Sequence, residues 1–579
     1  MLLQELVSFS DQLDLPPTLY VEAPVRYIIN LDADGRFLGM VDTSDASSPR
    51  TRRGTPRLVP QVQRASGIRP LLLADKADYV LGYVGEGDKP ERVAQCHTAF
   101  RASVATCETA TGDPLVRAVR TFLEDIPADV AANADFNPSA TMTFRVDGMF
   151  PIDLPSVQAF WAAENDPALK DAPIMQCVVC SQERPVLARL QAKIKGIRSG
   201  QTTGTSIISA NANAFESYGL EESLIAPTCS DCGERFTKAL NYLLANDQHC
   251  LRIGGAEFVV WTRENFAFDW FTVINQPSSA QGLALLESLK SGGWPASVDA
   301  DRFFGCSLSG SGGRAVVRDW IDTTVGNAKQ VVMQWFQRQT IVDSYGQQAA
   351  PLGIYALAAA TVRDPRKDLA PPTPRVLIRA ALAGAPLPRG LLQAAVRRCQ
   401  LEQQVTRPRA ALIKLAFSFT GPYDSQEDKL IALDTETLSP GYRCGRLLAV
   451  LEQAQRLAIP NLNQTIVDRF YGTASTAPRS VFSRLIQGAR PHLAKLQRDR
   501  RGAAFALNRR LEEIMAGITS FPAVLSLEEQ GLFALGYYHQ RADDRAKALE
   551  AAARRRTGAA AEPEAELLDE SAPESQKED

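Results

Sequence analysis

Apolar and polar positions along the chain change period several times, and each change marks an expected element. From Val25 to Asp42 the pattern alternates, breaks at Ala33-Asp34-Gly35 and resumes at Phe37. Alternation on both sides of Asp-Gly predicts a β-hairpin, because glycine tolerates the positive φ of a tight turn. A short helix is expected ahead of it. Helical periodicity follows over Glu91–Cys107, Pro114–Asp125 and Leu154–Glu164, with a strand expected over Thr141–Asp147. Leu251–Thr262 reads as a strand and Gly282–Lys290 as a helix, and Phe303–Ser307 leads through a Gly-rich turn to Arg314–Trp320. Helices dominate from Thr324 to Ala360, from Pro374 to Glu402, and again from Gly441 to about Arg556. The expected class is α+β: a mixed, multi-part N-terminal region followed by an α-helical bundle.

A chain of 579 residues has room for roughly two to four domains. The expected division is 1–173, a mixed α/β region with a basic loop; 174–235, an insertion between two cysteine pairs; 236–430, a continued α+β body; 435–556, a basic helical domain; and 557–579, a tail. No apolar run approaches the ~20 residues that cross a bilayer. The N-terminus lacks the basic start and small-residue cleavage site of a secretory signal, so a cytoplasmic protein without a membrane partner is expected.

Charge changes this picture because it is unevenly placed. Thr557–Asp579 holds eight acids and one lysine, so the net charge of −3 conceals a surplus of four positive charges elsewhere. That tail is Ala-, Glu- and Pro-rich and is expected to be disordered. Between Ala46 and Ala74 there is no acid, yet Arg50, Arg52, Arg53, Arg57, Arg64 and Arg69 occur there. Such a loop serves solubility or meets phosphate, and the missing acids favour phosphate. Gly441–Ser520 carries thirteen Lys or Arg against five acids. Arg484, Arg490, Lys495, Arg498, Arg501 and Arg509 are candidates for holding a displaced strand or a heteroduplex; the alternative is simple decoration of helix faces.

Candidate chemistry comes next. Cys177-Val-Val-Cys180 and Cys229-Ser-Asp-Cys232 are separated by 48 residues. Each CxxC supplies two thiolates at the bite of a tetrahedral zinc ion, so a closed, structural Zn²⁺ site is expected, with the intervening loop tied at its base. The remaining six cysteines show no such pairing and are expected to be core or incidental. Lys429–Ser439 reads as an apolar strand ending in Asp434-x-Glu436, the opening of a two-metal exonuclease motif. Its further carboxylates are missing except for His539 with Asp543 and Asp544 on a helical pattern. The Gly200–Thr205 and Gly310–Arg314 segments lack the Gly-Lys-Ser/Thr ending of a nucleotide-hydrolysing loop. They are either plain turns or places where backbone N–H groups meet a nucleic-acid backbone.

Between the cysteine pairs runs KIKGIRSGQTTGTSIISANANAFESYG, Lys193–Gly219. Lys193, Lys195, Arg198, Gln201, Thr202, Thr203 and Arg314 are candidate nucleic-acid contacts. Asn211 and Asn213 offer bidentate amides to a base edge or cap a helix near Ala214. This stretch resembles the signature of the type I-C CRISPR-associated Cascade large-subunit family, written Csd-one or Cas-eight-c. So do SGIRPLLLADKADYVLGY (Ser66–Tyr83), FRVDG (Phe144–Gly148), LSGSGGRAVVRDW (Leu308–Trp320) and GYRCGRLLAVLE (Gly441–Glu452), in the same order.

The resemblance implies a nucleic-acid-binding subunit without a catalytic site, which recognises the protospacer-adjacent motif in double-stranded DNA and promotes R-loop formation in antiviral defence. It implies crRNA, target DNA, the Cascade backbone and crRNA-processing subunits, and a recruited helicase–nuclease as partners. It also implies a small subunit matching the chain's own C-terminal region. No methionine lies between Met333 and Met515, so an internal start would need a non-ATG codon near Leu438–Val450. The metal is read from cysteine spacing and not from the resemblance. The competing readings are a DEDD-type metal-dependent exonuclease and a structural scaffold that does not touch DNA.

Overall fold

The computed structural model describes residues 2–45, 47, 53–62, 67–128, 130–131, 136–165, 172–190, 192–210, 212–264, 266, 268–291, 294–419, 430–436 and 439–556. The expected disordered tail therefore lies outside the described residues. Two compact units are formed: Met1–Tyr242 with Gly310–Val316, and Leu243–Ser309 with Val317–Asp579.

In the first unit, helix α1 (Leu2–Ser10) precedes β1 (Tyr20–Val25), which pairs antiparallel with β4 (Thr55–Pro60). A four-stranded sheet has the order β3 (Phe37–Asp42), β2 (Tyr27–Leu31), β6 (Met142–Val146), β5 (Ala74–Asp75). β2 and β3 form the hairpin that Asp34-Gly35 signals, with an irregularity at Asn30/Leu31. Gly35 sits at φ +84, and a Cβ there would lie 2.3 Å from the Ala118 carbonyl oxygen, so both turn and packing require glycine. β2 and β6 are parallel, which demands a long crossover. Its helices are α2 (Pro90–Thr111), closed by Gly112 in the left-handed region, and α3 (Pro114–Glu124), capped by the Asp113 carboxylate accepting from the Leu115 N–H. The buried stripes Cys96, Phe100, Val104, Cys107 and Val116, Val119, Phe122, Leu123 join Ile29, Leu31 and Phe144 in one core.

In the second unit a sheet runs β12 (Arg314–Thr324), β11 (Arg302–Ser311), β10 (Ala256–Thr262), β9 (Cys250–Ile253). The single strand expected over Leu251–Thr262 is two strands. Gly254 and Gly255, at φ +57 and +75, make a tight hairpin between them. Every residue of β10 is buried, so the alternation that would have revealed the turn is absent from it. The tip of the β11–β12 hairpin, Gly310–Val316, groups with the first unit.

One continuous apolar core extends from this sheet into the helices that follow. Those that matter below are α9 (Pro440–Ala458), α11 (Pro478–Asp499), α12 (Arg501–Ala516) and α13 (Leu527–Arg556). Preceding them are α5 (Val325–Gln339), α6 (Pro372–Ala383), α7 (Arg389–Glu402) and α8 (Arg407–Phe417), with α10 (Ile466–Ala474) between α9 and α11 and α4 (Ser230–Ala245) ahead of β9. No described helix is long and apolar enough to cross a membrane.

Candidate metal centre and nucleic-acid interface

Cys177 and Cys180 lie on the turn between β7 (Ile174–Gln176) and β8 (Glu183–Pro185), which pair antiparallel. The turn is closed by the Ser181 N–H donating to the Cys177 carbonyl (2.8 Å) and the Cys177 N–H donating to the Gln182 carbonyl (2.9 Å). Cys229 directly precedes α4 and Cys232 sits in its first turn. The ligand atoms of these four cysteines all lie within 4.8 Å of one another, and the Cys229 N–H points at the Cys177 sulfur at 3.5 Å. An ion held by four thiolates at about 2.3 Å keeps its sulfurs about 3.8 Å apart, so the cluster has the required size.

The donor chemistry fits as well: three of the four cysteines are buried, and among the described residues no carboxylate or histidine joins the group. The Cys232 thiol, hydrogen-bonded to Cys229, draws the Cys229 thiol down to about 5, and the same bond pushes Cys232 far up. Four thiols this close ionise together only around a cation, and the N-terminus of α4 adds a favourable dipole. The other six cysteines are buried.

From this centre α4 runs to Asn241, which braces the next segment. Its amide donates to the Lys193 carbonyl (3.0 Å) and accepts from the Lys195 N–H (2.8 Å). Ile194 and Thr205 then exchange two backbone hydrogen bonds of 2.8 Å, closing a loop that exposes Lys195, Arg198, Gln201, Thr202 and Thr203. Lys193 is half-buried and donates to the Ser206 hydroxyl (2.7 Å), and burial lowers its ammonium pKa.

The two Gly-rich segments meet one another. A Cβ on Gly310 would lie 2.3 Å from the Gly200 nitrogen, the Gly310 N–H donates to the Ser199 hydroxyl (2.8 Å), and Ser206 bridges Arg314 in parallel. These glycines allow backbone to lie on backbone, and Gly310–Arg314 is a hairpin turn.

Beyond Ala210 the chain exposes Asn213, the first residue of a short 3₁₀ turn over Asn213–Phe215. The residue at its N-cap is Ala212, and the Asn213 amide caps nothing. Asn211 lies outside the described residues.

Sequence reasoning missed two aromatic residues here. The Arg314 guanidinium lies 3.7 Å over the Phe215 ring, which is 44% exposed. Tyr218 is 100% exposed at the tip of a two-residue turn, with Tyr218 at φ +57 and Gly219 at φ +71. A bulky residue at positive φ is a strained choice that turn statistics would not select. A cavity of about 360 Å³ is lined by Lys193, Ser206, Ile208, Asn213 and Glu216, among others.

The N-terminal arginines are placed differently from one another. Arg50, Arg52 and Arg64 lie outside the described residues. Arg53 and Arg69 are exposed, whereas Arg57 pairs with Asp153 (2.6 Å) and lies 3.4 Å over Phe150. On α11 the buried positions are Pro478, Val481, Phe482, Leu485, Ala489 and Leu496. Arg479, Arg484, Arg490, Lys495 and Arg498 occupy the opposite, exposed side, and Asp499 is the only acid of that helix. The Lys495 ammonium also donates to the Ala458 carbonyl (2.7 Å), and Arg484 lies over Phe470. Arg501 and Arg509 are exposed on α12, while Arg510 is buried against Asp544 (2.6 Å).

The described residues 430–436 of the expected Lys429–Ser439 segment form turn, bend and irregular chain and no strand, while 429, 437 and 438 lie outside the described residues. There the Asp434 carboxylate accepts from the Glu436 N–H (2.8 Å), and the Asp434 N–H donates to the Tyr442 hydroxyl (3.0 Å). His539 is fully buried with Nδ1 2.9 Å from that same hydroxyl. Among the described residues, the four cysteines are the only group of three or more His, Cys, Asp or Glu that converges as metal ligands.

Comparison with curated proteins gives no match. The family described as CRISPR-associated protein (Cas_Csd1) matches residues 4–544, a span holding the cysteine centre, the braced loop, the hairpin tip and both basic helices. The chain therefore belongs to the Cas_Csd1 family of CRISPR-associated proteins, the large subunits of type I-C systems.

Proposed function

We propose that this subunit recognises the short protospacer-adjacent motif in duplex DNA for a crRNA-guided Cascade complex and promotes local opening of the duplex. The observation that carries this reading is the braced loop Lys193–Thr205, packed on the Gly310–Arg314 turn. It presents Lys195, Arg198, Gln201, Thr202 and Thr203 from a backbone fixed at several points. Cations position phosphates, and short amides and hydroxyls read base edges. Recognition of a short motif offsets part of the cost of melting, and guide pairing supplies the remaining specificity. The subunit works by binding and not by catalysis, and a helicase–nuclease is recruited to cut. A structural zinc ion in the Cys177/Cys180/Cys229/Cys232 centre holds the loop's supporting helix.

The test is binding of the assembled complex to matched duplexes carrying every trinucleotide flank. Asn213→Ala and a pooled Gln201/Thr202/Thr203→Ala variant are expected to flatten flank preference, each lost base contact weakening discrimination by about 1–3 kcal/mol. Unaltered preference in both variants would overturn this placement and favour the scaffold reading. DNA degradation by the purified chain with Mg²⁺ or Mn²⁺, abolished by Asp434→Asn, would favour the exonuclease.

A further inference from the structure

Helix α12 buries Ala503, Ala504, Ala506, Leu507 and Ile514, yet it leaves Phe505 with 64% of its surface in solvent. Arg501 stands four residues before that ring and Arg509 four residues after it, and both are exposed. Residues four apart lie one above the other on a helix, so the three side chains form a row of cation, aromatic, cation. About 12 Å of helix axis separates the two arginine positions, room for one base on the ring with a phosphate on either side. Glu512 closes the row two turns beyond Phe505. Arg498, exposed in the last turn of α11, continues the positive charge towards Arg501.

We propose that Phe505 is a stacking platform for an unpaired nucleobase of a single strand, with the Arg501 and Arg509 guanidiniums on the adjoining phosphates. Every base has a π-face, so such a platform grips a strand without reading its sequence, and flanking arginines supply the backbone attraction. The cations on both sides of the ring, in a stretch with thirteen Lys or Arg against five acids, match the charge of a phosphate backbone. The inference rests on the reading that this subunit works on opened DNA. It adds a contact in the second unit that the motif-reading loop does not supply. The unpaired base belongs either to displaced DNA or to guide RNA, and the experiment separates them.

The test uses the assembled complex on a matched duplex. 5-Iodouracil is placed in turn in the displaced strand, the target strand and the guide, and photoadducts are mapped on the protein. The expected result is an adduct at Phe505 from one strand, which names the source. Phe505→Ala should then raise dissociation of the opened complex about fivefold or more, Phe505→Trp should restore it, and a double Arg501/Arg509→Ala variant should weaken it with a shallower salt dependence. Because the ring is exposed, these variants should keep the wild-type unfolding midpoint.

If Phe505→Ala, Phe505→Trp and wild type behave alike while flank preference persists, the stacking inference fails and the proposed function stands. If wild type shows no flank preference, the proposed function itself fails. Loss of the subunit from the Phe505→Ala complex, with no adduct from any strand, would make the ring a protein contact and also overturn the inference.

Discussion

Gly441 and Gly445 belong to a stretch rich in cations, which invites a nucleic-acid reading, but their surroundings explain them by packing. A Cβ on Gly445 would fall 2.0 Å from the Phe533 carbonyl oxygen, and one on Gly441 would fall 2.3 Å from that of Glu529. On the facing helix, a Cβ on Gly536 would fall 2.1 Å from the Tyr442 carbonyl oxygen. Helices α9 and α13 therefore touch backbone to backbone. Polar residues of the same stretch are consumed there too. Arg446 is buried against Gln540 and Glu513, and Glu452 accepts from the Tyr537 hydroxyl (2.7 Å) and Arg456 (2.8 Å). Gly445→Ala is expected to force the helices apart and lower stability by about 1–3 kcal/mol, read as a lower urea midpoint. An unchanged midpoint would mean that the helix pair relaxes freely.

At the scale of elements, α4 links chemistry to recognition. Its first turn carries Cys232, preceded by Cys229, and its fourth carries Asn241, which holds the segment entering the exposed loop. Loss of the ion should loosen this helix start and, through it, the loop. The purified chain is expected to contain about one equivalent of zinc by mass spectrometry. Cys232→Ser should lower that content together with flank-dependent DNA binding. Asn241→Ala should impair binding and leave zinc in place. If Cys232→Ser keeps full flank preference, metal and loop are uncoupled.

At the scale of the whole molecule, proton uptake separates folded from unfolded chain. Burial lowers the pKa of His97, His249, His492 and His539. His539 falls furthest, to about 3, being fully buried with Lys414 adding a smaller push in the same direction and Asp434 opposing it. The unfolded chain therefore binds more protons wherever pH lies between about 6.5 and these depressed values. Stability is fully present above about pH 6.5 and falls as pH drops below it. His539 should account for roughly 2 kcal/mol of loss between pH 7 and pH 5. Urea unfolding at pH 7 and pH 5 should show a smaller pH-dependent loss for His539→Gln than for wild type. Equal losses would place the sensitivity elsewhere.

What the sequence determined by itself was local. The Asp34-Gly35 hairpin, the helical period over Pro114–Asp125, the paired CxxC spacing and the helical pattern beyond Gly441 each depend on neighbours within a few residues, so period and turn chemistry suffice. Family membership was legible for a related reason, since motifs in fixed order survive as strings. Tertiary structure decided which polar and glycine residues are used up by the fold. Arg57, Arg446 and Arg510 looked like the other cations until Asp153, Glu513 and Asp544 arrived from distant segments to pair with them. Gly200 and Gly310 looked like separate loops until they met. Nothing in the residue types of Phe215, Tyr218 and Phe505 signals exposure, and only burial, which sums contacts over the whole chain, places them outside. Pairing and burial are long-range sums, and no local window of the sequence contains them.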